Sequence, residues 1–187
     1  MFSRPLHDFT LRNGVASDLA TLAAIDDDAG TLFEEAGLFL DLPDDHEFPA
    51  AERRRWQECI AAGSTLLAVD LHSEAMGFVA VGRKDDEPYV AQLSVRRSCM
   101  RQGIGSALLE AAGHMAHAAG GDALWLTTYD HLSWNRPFYE RHGFIVMPEQ
   151  ACGAELLAEH AIEKKWLPLS HQRVLMRKAL AAVRARR

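Results

Sequence analysis

The order of segments along the chain predicts a mixed α/β fold, with a central mixed β-sheet of about seven strands flanked by helices. Three observations predict it. Four β-rich runs crowd the first half of the chain, and strands alternate with helices in the second half. The third is the segment Gly103–Ala119, where Ile104, Leu108, Ala111 and Met115 recur at spacings of three and four and draw one apolar stripe. At 187 residues, 48% of them apolar, the chain can bury a core of ordinary size. No internal repeat, low-complexity tract or linker divides it, so a single domain over residues 1–187 is expected.

Each element has its own signal. Phe9-Thr10-Leu11-Arg12 alternates apolar with polar and reads as an opening strand. Ser17 or Asp18 is a cap for a helix running through Leu19, Leu22, Ala23 and Ile25 towards Phe33. Gly37 through Pro49 reads as an irregular acidic loop, and Ala50–Ala62 as a short helix ended by Gly63. Ser64–Leu71 and Ala75–Gly82 are β-rich runs joined by His72-Ser73-Glu74, a hairpin signal. Asp85-Asp86-Glu87-Pro88 is a turn before the strand Tyr89–Val95. Gly120-Gly121 stops the striped helix, and Ala123–Tyr129 is the next strand. A short helix Trp134–His142 ends at Gly143 and leads into the strand Phe144–Met147. A helix Glu155–Trp166 and a strand Arg173–Lys178 close the pattern.

Composition narrows the function classes. No stretch approaches the roughly 20 apolar residues of a membrane-spanning helix, and Met1 to Asp8 lacks the apolar run of a signal peptide. Cys59, Cys99 and Cys152 form no CxxC pair, which disfavours a disulfide framework and fits a reducing compartment. A cytoplasmic protein is therefore expected. The net charge of -6 is uneven: eleven acids against Arg4 and Arg12 make residues 1–50 strongly acidic, and the remainder carries a net positive charge. That acidic first quarter speaks against nucleic acid and for a cationic ligand, or else is a solvated face. The basic stretch from Arg173 to Arg187 reads as a frayed terminus rather than a nucleic-acid arm. His114 and His117 lie three apart on one helix, but no third ligand accompanies them, so no metal is expected.

The richest local signal is Gln92 through Ser106: a strand, a turn, Gly103 and Gly105, then the striped helix. Glycines remove Cβ atoms where the backbone meets something closely. The unpaired N–H groups at the helix start, with the dipole behind them, form an anion site suited to a pyrophosphate. Arg96, Arg97 and Arg101 add positive charge around it. A glycine pair that only permits tight helix–strand packing explains the same pattern. Neither nucleotide fingerprint fits: no Gly-x4-Gly-Lys-Ser/Thr run exists, and Leu108 stands where a dinucleotide fold needs a third glycine.

Downstream, Trp134-Asn135-Arg136-Pro137-Phe138-Tyr139-Glu140-Arg141-His142-Gly143-Phe144 resembles the Asn…Phe-Tyr-x-x-x-Gly-Phe signature of the GNAT superfamily of acyl-CoA-dependent N-acyltransferases. Val95 through Gly105 is similar to that superfamily's pyrophosphate motif, Arg/Gln-x-x-Gly-x-Gly/Ala, and the two motifs stand in the family's order. Arg12-x3-Ala16-x-Asp18 resembles its usual entry into the first helix. The chain departs from the pattern in three places. Met100 stands where Arg or Gln is usual, Arg97 where proline is common, and Asn135 precedes Tyr139 by only four residues.

The resemblance implies an N-acetyltransferase that moves an acetyl group from acetyl-CoA to a primary amine of a small cationic acceptor by direct attack. It implies a donor site at Leu93, Ser94, Val95, Arg96, Arg101, Gln102, Gly103, Ile104, Gly105, Ser106 and Asn135. The Leu93 N–H would hold the oxyanion, and Tyr139 would be the general acid, where a core aromatic beside Phe138 and Phe144 is the plainer reading. Acceptor contacts are implied at Phe33, Glu34 and Tyr129, with Trp134 and Phe39 as an apolar wall or as core. The general base stays open among Glu87, Asp130, His131, Glu34 and Glu35. The alternatives are a Lys or N-terminal acetyltransferase of proteins and a CoA-binding module without chemistry. A homodimer is compatible with the resemblance; no membrane or nucleic-acid partner is expected.

Overall fold

The computed structural model describes residues 8–40, 42–43 and 46–180. Seven strands form one sheet: β1 (Phe9–Asn13), β2 (Thr65–Asp70), β3 (Ala75–Lys84), β4 (Glu87–Val95), β5 (Ala123–Tyr129), β6 (Ile145–Met147) and β7 (Arg173–Ala179). Their order is β1-β2-β3-β4-β5-β7-β6. Every neighbouring pair is antiparallel except β4 and β5, which run parallel. Five helices accompany them: α1 (Leu19–Glu35), α2 (Glu47–Ala61), α3 (Ile104–Ala118), α4 (Arg136–Arg141) and α5 (Ala154–Trp166). The expected mixed α/β sheet of seven strands is what the chain forms.

The core has two halves, one on each face of the sheet. On one face Ile104, Leu108, Leu109, Ala112 and Ala116 of α3 pack on Val79, Val81, Val90, Leu124, Leu126 and Met176. On the other, Leu22 and Ile25 of α1, Trp56 and Cys59 of α2 and Leu156 of α5 cover Leu67, Phe78, Ala80, Tyr89 and Leu175. This two-sided burial explains why β3 is buried almost throughout instead of alternating.

Several boundaries depart from expectation for identifiable reasons. The α2 helix starts at Glu47, three residues early, because His46 Nδ1 accepts the Phe48 N–H at 3.1 Å and Pro49 is tolerated in a first turn. Asp18 does not cap α1 with its side chain. It turns back to accept the Val15 N–H and both arms of the Arg12 guanidinium at 2.7 and 2.8 Å, which ties β1 to α1. That guanidinium holds the Asp18 carboxyl below the usual carboxylate range. The β3–β4 turn is only Asp85 and Asp86, both with positive φ, as a tight two-residue hairpin loop requires. Glu87 and Pro88 therefore belong to β4. The basic residues from Arg184 onward and Asp41, Asp44 and Asp45 of the acidic loop lie outside the described residues.

Asp85 has a second task. Its two carboxylate oxygens accept the N–H groups of Glu155 and Leu156, and its own N–H donates to Glu155 Oε2. A residue 70 positions away thus caps α5, reciprocally, where Gly153 has no side chain to do so. A Cβ on Gly153 would fall 2.1 Å from Asp85 Cγ.

Candidate active site

The sheet opens at its centre. A single parallel pair, Tyr89 with Trp125, joins β4 to β5, and beyond it the strands part. The Tyr89 hydroxyl and Thr127 Oγ1, 3.1 Å apart, stitch the two strands at the start of the opening. On its other side β4 stays paired with β3, but the register shifts between Ala80 and Val81, leaving Ala91 as an extra residue on β4. The Arg96 N–H donates to the Met76 carbonyl at 2.8 Å. Because an antiparallel ladder alternates, the N–H groups of Ser94 and Gln92 also face β3, and those of Leu93 and Val95 face the opening.

The N-terminus of α3 closes one end of this cleft. Ala107 N–H to Gly103 O is its first helical bond, so the N–H groups from Gly103 to Ser106 have no partner within the helix. Gly103 adopts φ 87°, a left-handed conformation that glycine takes without strain, and a Cβ there would meet open space. A Cβ on Gly105 would stand 3.6 Å from Phe138 Cζ and 3.7 Å from Val95 Cγ2. These are ordinary contacts, so helix–strand packing does not demand this glycine. The same distances show that β4, the start of α3 and α4 converge at one place.

Tyr139 is carried into that convergence by α4, with its ring against Phe138 and Phe144 at centroid distances of 5.2 and 5.7 Å. It packs in the same cluster as Leu93 and Val95. Burial pushes its phenol up to about 12, with Arg173 pulling the other way, so the hydroxyl is protonated across the physiological range. Pro137 at the first turn and Gly143 at the exit hold α4 to little more than one turn.

The remaining sequence candidates are placed as follows. Arg101 is exposed in the turn before α3 and has φ 61°. The Gln102 amide donates to the Ser98 carbonyl, and the Ile104 side chain is 1% exposed in the core, which leaves its N–H towards the cleft. Arg96 Nε donates to the Ala75 carbonyl. Arg97 leaves the anion site altogether: it straps the turn to α1 through its N–H on Asp28 and its guanidinium on Thr31 and Glu35. Asn135 Nδ2 donates to Thr128 Oγ1, a tie between α4 and β5. Phe33 and Tyr129 meet at 5.9 Å and share a cluster with Trp134, Leu38 and Leu132; the Tyr129 hydroxyl donates to the Pro168 carbonyl. Glu34 and Phe39 are exposed. Of the carboxylates considered as a base, Asp130 pairs with Arg136 and Glu35 with Arg97.

Sequence reasoning missed a polar layer between α1, α2, α5 and the sheet. Arg55 lies between Glu52 and Glu159, and Lys84 also reaches Glu159, which is 2% exposed. Arg173 bonds Glu163 and Thr127 and lies 4.9 Å over the Tyr129 ring. Burial and the neighbouring acids Glu163, Glu159 and Asp26, against Arg55, push the Glu52 carboxyl up to about 7. On α1, Asp26 Oδ1 takes the Ser94 hydroxyl at 2.6 Å and the Gln92 amide at 2.5 Å, while Gln92 Nε2 also donates to Ser94 Oγ at 2.9 Å. Burial raises the Asp26 carboxyl above the usual range. One signal was available: Glu52, Arg55, Trp56 and Cys59, like Leu156, Glu159, His160 and Glu163, repeat at helical spacing on a buried face.

Residues 62–146 match the family model described as the acetyltransferase (GNAT) domain. Among solved structures, the fold is similar to an N-acetylglutamate synthase from Neisseria gonorrhoeae complexed with coenzyme A and N-acetyl-glutamate, at 15% identity and TM-score 0.66, over 94% of this chain and 36% of that one. It is similar also to the PaiA N-acetyltransferase from Thermoplasma acidophilum in complex with coenzyme A, at 17% identity and TM-score 0.66, over 92% and 99% of the two chains. A ribosomal-protein alanine N-acetyltransferase from Escherichia coli matches at 16% identity and TM-score 0.63, over 96% and 99%. Among the described residues no helix is long and apolar enough to cross a membrane, and no three His, Cys, Asp or Glu side chains are grouped to hold a metal.

Proposed function

We propose that this chain, whose residues 62–146 match the GNAT acetyltransferase domain, transfers an acetyl group from acetyl-CoA to a primary amine of a small cationic acceptor. The observation that carries the reading is the parting of β4 from β5 beyond Tyr89 and Trp125, where it meets the start of α3. When bound, coenzyme A supplies an acetyl thioester. The N–H groups from Gly103 to Ser106 would take its pyrophosphate, with Arg101 adding charge from the turn. This assigns the anion role to backbone groups and one exposed arginine, which is how the site accommodates Met100. Asn135, whose Nδ2 is engaged with Thr128, would serve the site by fixing α4.

The Leu93 N–H, turned into the opening, would donate to the carbonyl oxygen as it gains charge. Tyr139, buried and protonated, would give its proton to the departing sulfur. The acceptor would approach from the side of α1 and α2, past the ring wall of Phe33, Tyr129 and Trp134. Asp26 and Glu52 favour a cationic acceptor there, because Asp26 is held by neutral groups and Glu52 shares Arg55 with Glu159. Fold neighbours include an N-acetylglutamate synthase and a ribosomal-protein alanine N-acetyltransferase, so fold alone does not choose between free amines and peptides. The test is thiol release from acetyl-CoA over a panel of diamines, aminoglycosides and Lys or N-terminal peptides. Turnover of free amines supports the reading, turnover of peptides alone transfers it to a protein acetyltransferase, and donor binding without any turnover makes the chain a binding module.

A further inference from the structure

We propose that Asp26 is the general base that frees the acceptor amine for attack. This rests on the acetyl-transfer reading above and adds to it the residue that receives the proton. The geometry is specific. The side chains of Gln92 and Ser94 flank Leu93 on β4, and both are bonded to Asp26 Oδ1, so α1 delivers one carboxylate beside the backbone N–H that faces the cleft. Both bonds go to Oδ1, which leaves Oδ2 as the oxygen that would take the amine's proton. The residue keeps partial solvent contact although protein surrounds most of it.

The rival carboxylates are worse placed. Glu52 is held 3.1 Å from Arg55 on α2, Glu163 is bound by Arg173 and Thr127, and Glu87 lies near the Ala123 N–H at the far end of β4. The groups that face Asp26 are Asp27 along α1 and the uncharged Gln92 and Ser94 from β4, while Glu52 from α2 feels the Asp26 charge in turn. Burial first, and then the charge of Asp27, make its carboxylate a stronger base than a surface aspartate, against the Ser94 and Gln92 bonds that favour the charged form. The step balances: the ammonium N–H bond breaks, its proton passes to Oδ2, and the nitrogen lone pair so exposed forms the bond to the acetyl carbon. The C–S bond then breaks, the sulfur takes the Tyr139 proton, a second proton from the nitrogen restores Tyr139 through solvent, and Asp26 releases its own to water.

Two measurements test it. In the first, Asp26→Asn is compared with wild type in kcat/KM for the best amine of the panel, from pH 6 to pH 10. The expected loss at pH 7 is on the order of 100- to 1,000-fold. It should shrink as pH approaches the amine's own pKa and neutral amine becomes abundant. Asp26→Glu should recover part of the rate, and the stabilisation by acetyl-CoA should be unchanged in both. An Asp26→Asn variant with the wild-type rate and pH profile would overturn the proposal while leaving acetyl transfer standing; a wild type without turnover would instead overturn the function. The second measurement needs no acceptor and no variant of Asp26. Carbon-13 NMR of the Asp26 carboxyl should show titration above the ordinary aspartate range, moved further up in Ser94→Ala, which removes a bond favouring the charged form. A carboxyl titrating in the ordinary range would contradict the assignment.

Discussion

At the scale of single residues, burial shifts two titratable groups in opposite directions. Burial of Tyr139, whose ring packs on Phe138 and Phe144, raises a phenol that is already protonated at neutral pH. Tyr139→Phe keeps those contacts and removes only the hydroxyl. It should lower kcat by about 100- to 10,000-fold, with acetyl-CoA binding unaltered in a thermal-shift titration. His160 is the second group. Burial first, then the cations Lys164 and Arg173, lower it to about 4, against an ordinary value near 6.5. The folded state therefore favours the neutral ring, and its contribution is complete above about pH 6.5 and lost as pH falls towards about 4. Urea titrations of wild type and His160→Gln across that window should show the difference between them falling with pH; a constant difference would contradict this. The site was only partly legible at this scale. Tyr139, Gly103 and Gly105 sit in a motif with fixed local spacing. Arg55 and Glu159 are 104 positions apart, and no local pattern announces such a pair. Arg97 looked like a phosphate ligand because its neighbours are arginines, but the acids that claim it lie on α1.

At the scale of elements, α5 depends on groups outside itself. Asp85 supplies the cap that Gly153 cannot, so Asp85→Ala should cost about 1 kcal/mol, a fall of roughly 2–4 °C in Tm for a chain of this size. Calorimetry would read it. Glu159 on the same helix neutralises both Arg55 and Lys84 while almost wholly buried. Glu159→Ala takes the carboxylate from Lys84 and leaves Arg55 with Glu52 alone, and a loss of about 3 kcal/mol in denaturant unfolding is expected. The elements themselves were the most legible part. β5 is found at Ala123–Tyr129 as expected, since its apolar pattern begins directly after the helix stop at Gly120 and Gly121. The start of α2 was not legible, because a histidine cap lies outside the Ser, Thr, Asp and Asn vocabulary of helix starts.

At the scale of the whole molecule, one departure from regular pairing organises the rest. A sheet that stayed zipped between β4 and β5 would bury the Leu93 and Val95 N–H groups in a ladder and leave no cleft. The bulge at Ala91, the single Tyr89–Trp125 pair and the separate attachment of β5 to β7 along seven residues let the two halves diverge. Nothing in the alternation of β4 or β5 signals that divergence. The claim that this cleft and the start of α3 hold acetyl-CoA is therefore the one to test most directly. Thermal unfolding with acetyl-CoA at about a hundred times its dissociation constant should show roughly 2.7 kcal/mol of added stability. NAD should add none, and Gly103→Val, which forces a β-branched side chain into a left-handed turn, should abolish the effect. No stabilisation by saturating acetyl-CoA, or equal stabilisation by NAD, would contradict the account.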